Sequence, residues 1–116
     1  MIIDEKNYKE CYNEETKHMT ICGFGIEKLE YIPEDCTHLE VSDNKLKELP
    51  QLPEGLELLD VDGNKLTSLP ELPERLSHLC ISDNHLTSLP ELPHGLELLD
   101  AEDNNLNSLP ELPEGL

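Results

Sequence analysis

Residues 56–75 read LELLDVDGNKLTSLPELPER, and residues 76–95 read LSHLCISDNHLTSLPELPHG. Laid one over the other, they share the frame L-x-x-L-x-V/I-x-x-N-x-L-x-x-L-P-x-L-P-x-x. A unit this short cannot bury its own apolar face, so each copy must stack on the next. The frame continues in both directions. Upstream it passes through Cys36, Leu39, Val41, Asn44, Leu46, Leu49, Pro50, Leu52 and Pro53. Downstream it passes through Leu96, Leu99, Ala101, Asn104, Leu106, Leu109, Pro110, Leu112 and Pro113. A worn copy comes first, with Thr16, Met19, Ile21, Ile26, Leu29, Ile32 and Pro33 in register and Phe24 where the others place Asn.

The spacing divides the chain into a flanking segment or cap at residues 1–15, a degenerate repeat at 16–35, and four repeats at 36–116. Leu116 is the first residue of a further copy. Ending there leaves an apolar strand edge, so the expectation is a fragment of a longer protein, with end-to-end self-association as an alternative. Within residues 1–15, Tyr8, Cys11 and Tyr12 would share a helical face, while a hairpin fits equally well.

The second half of L-x-x-L-x-V alternates, so the fourth and sixth positions point inward and the third, fifth and seventh outward. That is a short strand with one buried face, paired in parallel with its neighbours. Only about a dozen residues remain for each return, and they carry two prolines, which argues against a helical crossover. The L-P-x-L-P run suits an extended, polyproline-like path. The expected fold is a repeat solenoid: parallel strands on the concave face, extended convex returns, and little or no helix. Asn44, Asn64, Asn84 and Asn104 form one column where the chain leaves the strand. An amide carries donors and an acceptor together, so this column is read as structural, satisfying backbone groups inside the turn.

This frame resembles the bacterial LPX subclass of leucine-rich repeats, known from effectors delivered by type III secretion. The resemblance is strong over residues 36–116 and weak over 16–35. It implies a curved solenoid that binds partner proteins, sometimes joined to a catalytic ubiquitin-ligase domain. No residue here matches such a catalytic site, so a ligase reading makes this chain only the substrate-recognition part.

Lys and Arg number 8 against 26 acids, a formal charge of −18. Nucleic acid and anionic membrane both need cations on the protein, so neither is expected as a partner. A basic or mixed protein surface is. The start MIIDEKNYKE lacks the basic and apolar runs of a secretory signal. Cys11, Cys22, Cys36 and Cys80 make no disulfide framework, and a reducing cytoplasmic setting follows, a host cell's cytoplasm if the chain is exported.

The outward positions predict the partner surface. One column runs His38, Leu58, His78, Leu98; the next Glu40, Asp60, Cys80, Asp100; a third Ser42, Asp62, Ser82, Glu102; a fourth Asp43, Asp83, Asp103, with Gly63 interposed. Leu58 and Leu98 stand out as exposed apolar anchors on an acidic face. Other chemistries are weaker. Asp83, Asp100, Glu102 and Asp103 could give calcium some oxygens, but no calcium-loop spacing is present. His78 and Cys80 lack a second imidazole for zinc. A Cys80–His78 nucleophile is opposed by Asp60 and Asp100, which raise the thiol pKa. The chain is therefore read as a non-enzymatic interaction module without metal or cofactor.

Overall fold

A computed structural model describes all residues, Met1–Leu116. The strands, in chain order, are β1 (Ile2–Ile3), β2 (Tyr12–Asn13), β3 (His18–Thr20), β4 (Lys28–Leu29), β5 (His38–Glu40), β6 (Leu58–Asp60), β7 (His78–Cys80) and β8 (Leu98–Asp100). Six of them form one sheet in the order β2-β3-β5-β6-β7-β8. From β3 onward the pairing is parallel, with Met19, Leu39, Leu59, Leu79 and Leu99 in one register. The twenty-residue frame thus puts equivalent positions side by side.

The ladder runs past the strands into the next turn. Val41, Val61 and Ile81 each donate an N–H to the carbonyl of the next coil, on Asp60, Cys80 and Asp100, at 2.8–2.9 Å. Each return then runs extended and closes on a tight turn. Leu56, Leu76 and Leu96 donate to the carbonyls of Pro53, Pro73 and Pro93 at 3.2 Å. Proline's missing N–H is harmless on a return, because coils meet there through side chains. Leu52, Leu72 and Leu92 are buried on that side. The one helical element is a single 3-10 turn at Tyr8–Glu10.

The core is a spine of aliphatic columns. Positions one, four, six and eleven of the central coils are fully buried, as in Leu56, Leu59, Val61 and Leu66. Cys36 replaces a leucine in this spine, and burial pushes its thiol up to about 11. The solenoid is short. Its radius of gyration is 13.4 Å, near the value of about 13 Å for a compact domain of this length. The body is nonetheless flattened, 38 × 26 × 18 Å.

At the first coil, β2 pairs antiparallel with β3, matching Tyr12 to Met19 and Asn13 to His18. β1 pairs parallel with β4 on the return side. Residues 1–15 hold a short 3-10 turn and the first strand of a hairpin, and Tyr12 lies on that strand rather than on a helical face shared with Tyr8 and Cys11. Phe24 sits in the Asn position yet is 71% exposed. No repeat coil lies before it, so an inward amide would find no preceding-coil carbonyl there, and Asn44 Nδ2 already serves the Ile21 carbonyl.

Candidate functional site

The asparagine column lies behind the candidate surface and holds it in place. Asn84 is 4% exposed. Its Nδ2 donates to the carbonyls of Val61 at 3.0 Å, Ile81 at 3.2 Å and Ser82 at 3.1 Å. Its Oδ1 accepts the Leu66 N–H at 3.1 Å. Asn64 and Asn104 repeat this scheme, and Asn44 takes the N–H groups of both Phe24 and Ile26. No buried side-chain nitrogen or oxygen lacks a partner.

In front of that column, Glu40, Asp60, Cys80 and Asp100 lie in strict register across β5 to β8. All four are half-buried. The Asp60 carboxyl is raised above its ordinary 3.8, first by burial, with Asp62 and Glu40 adding charge repulsion. Ionised Asp60 therefore costs the fold stability at neutral pH, and the cost fades as pH falls through the raised value. Asp60→Asn keeps an acceptor for the Asp62 N–H at 3.1 Å. It should raise the urea midpoint at pH 7 by the equivalent of roughly 0.5 kcal/mol, below the ~1 kcal/mol for unit charges 4 Å apart in water. The gain should vanish below the ordinary value of 3.8. A variant equally more stable at pH 7 and pH 3 would contradict the assignment.

The structure corrects several outward residues. Leu58 is half-buried between His38 and His78 and is no exposed anchor. Leu98 is exposed, at 42%. Ser82 is only 9% exposed, because its N–H and hydroxyl both bond to Asp62 Oδ1, at 2.7 and 2.9 Å. That contact spans two coils, so Asp62 is engaged within the protein. Ser42 instead donates to the Cys22 thiol at 3.2 Å. Asp43, Asp83 and Asp103 are exposed but sit at φ of +53°, +53° and +54°, in a left-handed turn. Gly63 takes the same place at +69°, and a Cβ there would strike the Asp43 carboxylate. Aspartate and glycine tolerate that backbone best, so this column is there for the turn as well as the surface.

Along the margin, the rings of His18 and His38 pack with centroids 4.0 Å apart and planes tilted by 33°. Thr37 and Ser77 hydroxyls lie 2.9 Å from Nδ1 of His38 and His78. The Cys80 thiol is pushed up to about 11, first by burial and then by Asp60, Asp62 and Asp100. Sequence reasoning named the acids; burial is the larger cause. A thiol so protonated at neutral pH is a poor nucleophile. No group of three or more His, Cys, Asp or Glu side chains is placed to hold a metal ion, including the acids around Asp100 and Asp103.

Two surfaces escaped sequence reasoning. Shallow grooves run between successive returns, as where Leu52 and Leu72 meet among Glu54, Glu71, Glu74 and Arg75. The recurring ELPE was the available signal. The second surface is a concavity beside the first coil where the tyrosines gather.

Comparison with solved structures places this architecture. YopM from Yersinia enterocolitica WA-314 superposes with a TM-score of 0.76 and 45% identity over 79% of this chain. The chain is a leucine-rich repeat protein. A second leucine-rich repeat structure, YopM described as a leucine-rich effector protein from Yersinia pestis, matches at a TM-score of 0.74 and 31% identity over 92% of the chain. The chain spans 20% and 36% of the length of these two proteins. No protein-family model and no curated protein matches the sequence. The twenty-residue leucine-rich repeat therefore accounts for the parallel sheet, the asparagine column and the proline-bearing returns. No helix is long and apolar enough to cross a membrane.

Proposed function

We propose that the chain is a non-enzymatic protein-interaction module that binds a basic protein surface across its concave strands. One observation carries this reading. The Glu40, Asp60, Asp100 column is aligned by strand register and has no cation of its own. The ion pairs of the chain are Lys17–Asp35 and Lys28–Glu30, both outside this column. Stacked, uncompensated carboxylates favour a cationic partner and steer its approach. They repel phosphate, so nucleic acid and anionic lipid are poor partners. The likeness to a protein described as a leucine-rich effector supports the same role and a cytoplasmic site of action, in a host cell if the chain is delivered there.

The test is charge reversal with a matched control. Glu40→Lys, Asp60→Lys and Asp100→Lys together spare Asp62, which holds Ser82. Glu71→Lys, Glu91→Lys and Glu111→Lys make the same charge change on the returns. Partner capture from a cell lysate should fall about tenfold or more with the first set, on the scale of several lost charge contacts. It should change little with the second. Equal losses from both sets would reduce the effect to net charge and remove the concave face as the site.

A further inference from the structure

The concavity beside the first coil has a different chemistry from the strands. All three tyrosines of the chain meet there. Tyr8, on the 3-10 turn, lies 4.8 Å from Tyr31 and 6.0 Å from Tyr12 between ring centroids. Tyr12 is buried and its hydroxyl donates to Asp35 Oδ1 at 2.6 Å. Lys17 Nζ donates to the other oxygen of Asp35 at 2.9 Å. The one cation lining the groove is thereby spent on Asp35. Tyr8 and Tyr31 remain half-exposed, and Glu14 and Glu34 stand on the rim in no ion pair. The concavity encloses about 360 Å³.

We propose that this groove receives an arginine side chain from an extended segment of a partner protein. The guanidinium would lie against the tyrosine faces, with Glu14 and Glu34 closing on its N–H groups. Charge complementarity selects a cation, and geometry selects which one. A quaternary ammonium is best held in a box of several rings, but Tyr8 and Tyr31 pack on each other at 4.8 Å and 55° and leave no such box. A flat ion can stack on their outer faces. Arginine is planar, more weakly hydrated than an ammonium, and presents a fork of donors to carboxylates, so it is favoured over lysine. Glu14, Glu34 and Asp35 outnumber Lys17 in the lining. The Tyr31 hydroxyl is held above its usual range by burial, with Tyr8, Glu5, Glu34 and Asp35 adding to it. This site lies off the concave column and does not depend on the reading proposed for that column.

The chain has no tryptophan, so its tyrosine fluorescence reports on this groove alone. Three probes are titrated at fixed ionic strength: a capped Gly-Arg-Gly-Arg-Gly peptide, its lysine counterpart and its trimethyllysine counterpart. The arginine peptide should quench saturably and bind about fivefold more tightly than the lysine peptide. Glu14→Gln with Glu34→Gln should weaken it about fivefold, with the urea midpoint unchanged. Tyr31→Leu should abolish the preference for arginine. The concave variant with Glu40, Asp60 and Asp100 reversed should keep that preference, which separates this site from the concave one. Equal affinity for the two peptides, or no response to the paired Gln variant, would leave only attraction to an acidic protein and would overturn the proposal. Tighter binding of a trimethyllysine peptide would overturn it too.

Discussion

Asn84→Leu is expected to destabilise the chain by about 1–3 kcal/mol, the cost of one buried polar group left without a partner. Leucine repeats the branching of the amide but offers no donor or acceptor. The Leu66 N–H, held at 3.1 Å by Asn84 Oδ1, would be stranded in the core. The Val61 carbonyl would lose its contact with Nδ2 at 3.0 Å and keep only Asn64 Nδ2. These two groups belong to the preceding coil, so the amide ties one coil to the next as well as closing its own turn. Loss of that tie acts on a nearest-neighbour interface, the term that makes a stack cooperative. The midpoint and slope of urea unfolding, followed by far-ultraviolet circular dichroism, measure both effects. Asn104, less deeply buried, should cost less when replaced the same way. A loss at Asn84 no larger than at Asn104 would mean that water reaches the freed groups.

Leu79→Ala should cost about 2–5 kcal/mol, the range for a leucine truncated inside a packed core. Leu79 is fully buried, and Leu59 and Leu99 flank it on the paired strands. Hydrogen-bonded backbone on both sides prevents collapse into the space, so the cavity persists. Leu89→Ala is the informative comparison, because Leu89 is half-buried on a return where coils meet mainly through side chains. Its cost should be near 1 kcal/mol, since less apolar surface is lost and the return can close inward. Equal costs at both positions, measured by the same unfolding curves, would contradict the view that rigidity is concentrated at the strands.

The candidate surface was partly legible before any coordinates. Strict twenty-residue spacing implies that Glu40, Asp60, Cys80 and Asp100 form a row, and the strand register agrees. What the row does with its neighbours was not legible. Asp62 and Ser82 are twenty residues apart, and their contact depends on how far one carboxylate reaches across the inter-coil gap. Leu58 points outward by its position, yet it is half-buried in a row between His38 and His78. The Asp/Gly alternation at Asp43, Gly63 and Asp83 is a signature of positive φ as much as of an exposed surface. The tyrosine groove joins Tyr8 and Tyr31, far apart in sequence, which periodicity alone does not bring together.

Periodicity governs this protein's backbone. A side chain's place in a repeating coil follows from counting, so strand, spine, asparagine column and proline-bearing return could all be read as text. Contacts between coils depend on distances of a few ångströms and on which rotamer each side chain adopts, and those arise only once the coils are packed. Folding therefore settled which acids stay free, which thiols stay protonated and where three tyrosines meet.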